Sequence, residues 1–247
     1  MLANLLLFAA AFGAGIMNAV AGGGSFLTFP ALVFTGVPSV IANASSTVAT
    51  FPGSFASAWA YRRDFRPFDG IGMGAILGVS LAGSVLGALL LLWTPQRTFD
   101  AVIPWLLGAA TLLFAVGRHV TPYLARRFRI GAAALLSVQF FIAIYGGYFG
   151  GAIGILMLAL FGLFGLDDIH RMNAMKTLLS GTLNAAAVVC FIIAGKVWWL
   201  QTAVMLVGAV LGGLAGPAAA RRMRQSHLRL AIIAIGVGMT IAFALRH

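Results

Sequence analysis

Two runs of polar residues in this sequence follow the spacing of an α-helix, and their side chains could line a polar pathway. With spacings of i, i+3, i+4, i+7 and i+11, the runs are Asn43, Ser46, Thr47, Thr50 and Ser54, and Asn173, Lys176, Thr177, Ser180 and Asn184. At 3.6 residues per turn, each run lies on one helical face. Amides and hydroxyls can hydrogen-bond a small polar solute. The alternative is that small hydroxyl residues only allow close helix packing, which explains the serines and threonines better than the asparagines and the lysine.

Lys176 is the only basic residue that falls within an apolar stretch rather than at its edge. It follows Arg171 by five residues, which corresponds to about 8 Å along a helix. One interpretation is a fixed positive charge that attracts an anion into the pathway. The other is a side chain that extends back to the nearer membrane interface. The sequence leaves both interpretations open.

A cluster of glycines precedes each polar run. The first is Gly22-Gly23-Gly24, followed by Ser25, and the second includes Gly150, Gly151 and Gly154. Glycine lets the backbone bend and exposes N–H groups at the start of a helix, where the helix dipole favours negative charge. Helices that break at membrane depth usually line cavities. These clusters therefore indicate candidate binding backbone, although glycines that serve only close helix contact are equally compatible.

The composition around these residues is that of a membrane protein. The 247 residues are 61% hydrophobic and 9% charged, with no glutamate, whereas soluble domains carry about 25% charged residues. Too few charges remain to cover a water-facing surface, so most of the exterior must face lipid. The net charge of +11 resides in short clusters between apolar stretches, as in loops of membrane proteins, so nucleic-acid binding is not expected.

The positions of the acidic residues and histidines exclude several chemistries. All five aspartates lie in predicted loops or at helix ends: Asp64, Asp69, Asp100, Asp167 and Asp168. Coupling to protons or sodium through a buried carboxylate, and recognition of a cation, are therefore disfavoured. The four histidines are likewise in loops or terminal, and they suggest no metal site. We expect no enzymatic activity and no cofactor.

Hydrophobicity predicts an all-α bundle of about eight to ten membrane helices, including short or re-entrant ones. Ten apolar elements are expected, at 2–21, 25–35, 40–60, 70–93, 99–117, 131–150, 152–165, 172–195, 197–219 and 228–245. The two sets of five are related, because an offset of 130 residues places Gly24 on Gly154 and Thr47 on Thr177. We therefore expect one transmembrane domain over residues 1–247, with a first repeat at 1–118 and a second at 131–247.

Basic residues predict the orientation of the two repeats. Three loops hold most of the arginines: Arg62, Arg63 and Arg66; Arg118, Arg126, Arg127 and Arg129; and Arg221, Arg222, Arg224 and Arg229. Since Lys and Arg accumulate on the cytoplasmic side, these loops are expected to be cytoplasmic. The turns between them hold only Arg97 and Lys196. An odd number of crossings per repeat then inverts the second repeat relative to the first.

Several motifs resemble one family of bacterial membrane proteins over nearly the whole chain. They are Gly15-Ile16-Met17-Asn18-Ala19-Val20-Ala21-Gly22-Gly23-Gly24, Phe29-Pro30-Ala31-Leu32, Ala42-Asn43-Ala44-Ser45-Ser46, Gly146-Gly147-Tyr148-Phe149-Gly150 and Asp168-Ile169-His170-Arg171-Met172-Asn173-Ala174-Met175-Lys176. With them the chain resembles the sulfite exporter TauE/SafE family. The resemblance implies a plasma-membrane permease for small anions such as sulfite and organosulfonates. One departure is that Ala152 and Ile153, rather than glycines, precede Gly154.

Together these observations predict an exporter of small anions, multi-pass in the inner or plasma membrane, with membrane lipids and its substrate as partners. The alternatives are an importer or permease for another small solute, and a structural membrane protein without transport activity. The sequence gives no oligomeric state. The predicted substrate contacts are Asn18, Gly22, Gly23, Gly24, Ser25, Asn43, Ser46, Thr47, Gly150, Gly151, Gly154, Asn173, Lys176 and Thr177.

Overall fold

A computed structural model of the protein describes residues 2–20, 22–222 and 225–245, so that Ala21 and Arg224 lie outside the described residues. The described chain folds into helices throughout. They are α1 (Leu2–Val20), α2 (Ser25–Phe34), α3 (Ser39–Ala60), α4 (Met73–Trp93), α5 (Gln96–Arg127), α6 (Ala132–Tyr148), α7 (Ile153–Phe164), α8 (Ile169–Ile193), α9 (Trp199–Arg222) and α10 (Gln225–Ala244).

This arrangement confirms the predicted all-helical membrane bundle. Within the described residues, five helices are long and apolar enough to cross a membrane: α1, α4, α5, α8 and α9. The predicted short elements are α2 with 10 residues and α7 with 12, about 15 and 18 Å long at 1.5 Å per residue. The main difference is α5, which continues for ten residues beyond the predicted end at Gly117.

Glycines hold the helices together by letting two backbones touch. On α9, a Cβ added at Gly208 would be 2.6 Å from the carbonyl oxygen of Phe8, and one added at Gly212 would overlap that of Phe12. On α4, a Cβ at Gly83 would be 2.5 Å from the carbonyl oxygen of Phe140. Since lipid gives little hydrophobic drive for helix association, such close contacts supply much of the cohesion of a membrane bundle.

The most extensive helix contacts occur in pairs that correspond under the 130-residue offset. Helix α1 packs on α9, and its counterpart α6 packs on α4. Similarly, α3 packs on α9 while α8 packs on α4, and the counterpart helices α3 and α8 pack on each other. The third helix of each set therefore lies at the centre of the bundle, where it can carry polar residues away from lipid.

Large apolar side chains cover the outside of the bundle. Among those more than half exposed are Leu5, Leu112, Phe141, Val207 and Ile241, from five different helices. In water such a surface would be unstable, whereas lipid tails solvate it. Exposed tryptophans at or beside helix ends, such as Trp93 and Trp199, are typical of the membrane–water interface. The chain is thus a multi-pass membrane protein.

One end of α8 is fixed by polar contacts outside the membrane-spanning helices. The carboxylate of Asp168 caps α8 by accepting hydrogen bonds from the N–H groups of His170 and Arg171, at 2.8 and 3.3 Å. These bonds hold the pKa of Asp168 below its ordinary value. The Arg171 guanidinium donates to the carbonyl oxygens of Arg66 and Pro67 and pairs with Asp69 at 3.3 Å. The loop between α3 and α4 is therefore tied to the start of α8.

Candidate functional site

A polar cavity lies where α1, α2, α3, α7 and α8 meet. Its volume is about 20 Å³, a little more than one water molecule requires. The lining residues are Asn18, Gly22, Ser25, Thr47, Thr50, Ser54, Gly150, Ile153, Gly154, Thr177, Ser180 and Asn184. Three pairs among them correspond under the 130-residue offset: Thr47 with Thr177, Thr50 with Ser180, and Ser54 with Asn184. Each set of five helices therefore supplies the same positions of its central helix.

The two glycine clusters touch each other at this cavity. A Cβ added at Gly22 would be 2.6 Å from the Cα of Gly154, so only glycine allows this crossing. The amide of Asn18 stabilises the first cluster, since its Oδ1 accepts a hydrogen bond of 2.7 Å from the N–H of Gly24. The Ser25 hydroxyl donates to the carbonyl oxygen of Gly150 at 3.4 Å and links the clusters. The crossing brings the starts of α2 and α7 to one place.

One pair of equivalent residues in the two clusters adopts the same unusual backbone conformation. Gly22 has φ of +78°, and Ala152, 130 residues later, has φ of +59°. Ala152 is the only residue other than glycine with positive φ in the described chain. The sequence departure at Ala152 therefore does not change the backbone conformation at this point, although an alanine is strained in it.

All three threonine hydroxyls in the lining donate to their own helix. Thr47 donates to the carbonyl oxygen of Asn43 and Thr177 to that of Asn173, both at 2.9 Å, and Thr50 donates to that of Ser46 at 2.8 Å. Each keeps lone pairs for other partners but has no second proton to donate.

The remaining donors of the cavity are side-chain amides and one serine. Within the described part of the chain, the structure gives no acceptor for the amide Nδ2 of Asn18 or Asn184, or for the hydroxyl of Ser54. These three groups can therefore donate to a solute in the cavity. The helix starts at Ser25 and Ile153 add the positive ends of two helix dipoles. The lining holds no acidic side chain that would repel an anion.

The structure places Lys176 beside the cavity rather than in its lining. Its side chain is 1% exposed, and Nζ donates to Oδ1 of Asn173 at 2.8 Å and to the carbonyl oxygen of Ala19 at 3.4 Å. This burial disagrees with the interpretation in which the side chain extends to the membrane interface. The amide of Asn43 makes a similar contact from the first half to the second, since its Nδ2 donates to the carbonyl oxygen of Tyr148 at 2.9 Å.

Half of the predicted substrate contacts lie together in the lining. These are Asn18, Gly22, Ser25, Thr47, Gly150, Gly154 and Thr177. The other predicted residues are not part of the lining: Gly23, Gly24, Asn43, Ser46, Gly151, Asn173 and Lys176. The lining also contains Thr50, Ser54, Ser180 and Asn184, which belong to the polar runs but not to the predicted contacts, and Ile153. Continuing each run to its last member would have included all four polar residues.

Comparison with known proteins agrees with this architecture. The family model for the sulfite exporter TauE/SafE matches residues 7–243. A probable membrane transporter protein of Haemophilus influenzae is 28% identical over 240 residues, covering 95% of this chain and 92% of the relative. The probable membrane transporter protein YfcA of Escherichia coli K12 is 29% identical over 237 residues, covering 95% and 87%. No solved structure matches the chain. These names describe transporters, which agrees with the prediction of a non-enzymatic membrane protein and disfavours a purely structural role.

Proposed function

Since this chain belongs to the sulfite exporter TauE/SafE family of membrane transporters, we propose that it exports small anions such as sulfite or organosulfonates. The observation that carries the proposal is the central cavity, to which both halves contribute equivalent helix positions, two helix N-termini and no acidic side chain. A solute held there is contacted by both halves at once. In transporters built from repeats, such a place between the halves is where the substrate binds.

The cavity donors match the chemistry of a sulfur oxyanion. Sulfite and sulfonates present three oxygens, and Asn18, Ser54 and Asn184 offer three donor groups on three helices. Hydrogen bonds to a charged acceptor are stronger than those to a neutral one, about 1.5–3 kcal/mol each. The donors therefore favour an oxyanion over a neutral molecule of the same shape.

The present conformation is closed around the cavity. A volume of about 20 Å³ holds about one water molecule, whereas sulfite has four non-hydrogen atoms. Binding therefore requires the helices around the cavity to separate. At the crossing itself, Gly22 and Gly154 are in backbone contact with no side chain between them.

Anion flux driven by membrane potential alone tests this function. A potential negative on the loaded side contributes about 2.3 kcal/mol per charge per 100 mV toward efflux. Proteoliposomes loaded with labelled sulfite or methanesulfonate should lose the anion under a potassium diffusion potential, and the opposite potential should slow the loss. Protein-free liposomes, and the neutral analogue dimethyl sulfone, are the controls. Absence of anion movement at both polarities would contradict the proposal, and movement only with a proton gradient would contradict uncoupled export.

We also propose an inverted orientation of the two halves, with the basic loops on the cytoplasmic side of the plasma membrane. The paired helix contacts support a twofold relation between the halves, because α1 packs on α9 as α6 packs on α4, and the distribution of arginines between the loops supports the inversion. One basic loop carries a contact typical of the membrane interface, in which the Arg62 guanidinium lies 3.9 Å from the ring centroid of Trp59.

Labelling of equivalent loops distinguishes inverted from parallel halves. Arg66 and Lys196 each follow the third helix of a half. In a variant without Cys190, a cysteine at Arg66 should react with an impermeant maleimide only from the cytoplasmic side, and one at Lys196 only from outside. Labelling of both from the same side would contradict the inversion.

A further inference from the structure

The buried lysine beside the cavity joins two elements that must separate for a solute to enter. Lys176 belongs to α8, and its weaker bond, 3.4 Å long, reaches the carbonyl oxygen of Ala19 near the end of α1. The neighbouring residues Asn18 and Thr177 both line the cavity. The bond therefore connects two walls of the cavity at one of its edges.

The charge of Lys176 has no carboxylate partner in the described structure. The one ion pair found there joins Arg171 and Asp69, and all five aspartates of the sequence are at loops or helix ends. The partners of Nζ are neutral oxygens, and the carbonyl at the end of α1 carries only the partial charge of a helix C-terminus. An ammonium has three donors, of which two are used. A full negative charge nearby is a stronger partner than a neutral carbonyl.

The equivalent position in the first half carries no charge. Ser46 stands 130 residues before Lys176, and its hydroxyl is 2.6 Å from that of Thr28 in the same half. The contact that crosses between the halves on that side comes from the neutral amide of Asn43, which donates to Tyr148. Of these two contacts, only that of Lys176 comes from a basic side chain.

We infer that Lys176 is a latch released by the anion: an oxyanion at the cavity takes over Nζ from the carbonyl oxygen of Ala19, and this frees the end of α1 to move away from α8. The inference rests on the proposed anion transport and deepens it, because it makes negative charge the signal that opens one side of the cavity. Lys176 then favours anions in two ways: it attracts negative charge to the cavity, and it lets the cavity open only when that charge is present. A neutral molecule of the same shape cannot release the latch.

The latch is tested by the reactivity of a cavity cysteine in the full-length protein. Ser54 lines the cavity and is buried, so in a Cys190→Ala background Ser54→Cys should react slowly with N-ethylmaleimide. Methanesulfonate should accelerate the reaction about tenfold, the effect of losing one charge-assisted hydrogen bond. Dimethyl sulfone, which has a methyl group in place of one oxygen and no charge, should not accelerate it.

Adding Lys176→Met should make the reaction fast with or without methanesulfonate, while Lys176→Arg should keep the acceleration. Lys176→Gln, which retains a polar group, replaces the methionine variant if the latter does not fold. A reaction that stays slow in both neutral variants, or that methanesulfonate accelerates equally with and without Lys176, would overturn the latch. Potential-driven flux of methanesulfonate, measured on the Cys190→Ala protein with Ser54 and Lys176 intact, separates the two ideas: flux without a latch effect leaves the proposed function standing, and no flux contradicts that function itself.

Discussion

Replacing Gly212 with alanine should greatly reduce the amount of folded protein, although alanine is the better helix former. A Cβ at this position would overlap the carbonyl oxygen of Phe12 on α1, so α1 and α9 would have to separate along the most extensive contact in the bundle. Overpacking of this kind costs about 1–3 kcal/mol. Gly87→Ala should act similarly between α4 and α6, because its Cβ would overlap the carbonyl oxygen of Ile144. Thermal unfolding in detergent and the yield of monodisperse protein measure both effects.

Gly78 provides the matched control for these glycines. It lies on α4, as Gly87 does, but a Cβ added there meets no atom within 4 Å. Gly78→Ala should leave the yield unchanged and raise the unfolding temperature slightly, since alanine favours the helix by about 1 kcal/mol. If Gly212→Ala and Gly78→Ala behaved alike, the close packing of α1 on α9 would be wrong.

Asn184→Leu should slow anion transport about 10- to 100-fold while leaving the fold intact. The substitution keeps the branching and the number of side-chain heavy atoms but removes an amide that lines the cavity, and a hydrogen bond to a charged group contributes about 1.5–3 kcal/mol. Initial rates of potential-driven methanesulfonate efflux give the effect. Asn184→Asp should lower the rate further, because a negative charge repels the anion.

Thr182→Val tests whether the loss of any polar side chain on α8 slows anion efflux. Thr182 is half-buried two residues from Asn184, lies outside the cavity lining, and donates its hydroxyl to Leu178 in its own helix. Its loss should change the efflux rate less than twofold, a difference below about 0.5 kcal/mol. Equal rates for Asn184→Leu and Thr182→Val would remove the cavity from the transport path.

The sequence predicted the number and order of the helices because a membrane imposes long apolar segments that are easily recognised. The error at α5 has a physical cause: beyond Gly117 the chain becomes charged and resembles a loop, yet Ala, Leu and Arg favour helix, and α5 continues to Arg127. Charge marks the end of the membrane-embedded part, which need not be the end of the helix.

The cavity could be predicted only in part, because the polar runs define a helix face but not how that face is rotated against its neighbours. Thr47 and Thr177 proved to line the cavity, whereas Asn43 and Lys176, on the same faces, bond across to the ends of α6 and α1. Which members point inward depends on contacts between distant segments, such as that of Gly22 with Gly154. The left-handed conformation of Ala152 likewise could not be expected from an alanine.

Ala152 makes the chain break before α7 more strained than the equivalent break before α2. Holding an L-residue in the left-handed region costs about 1–2 kcal/mol, a cost that glycine largely avoids, so Ala152 stores strain where Gly22 stores little. Ala152 is fully buried directly before α7, and any rearrangement that lets its φ become negative releases this energy. The second break therefore gains free energy from a change of backbone conformation at Ala152 that the first break does not gain at Gly22.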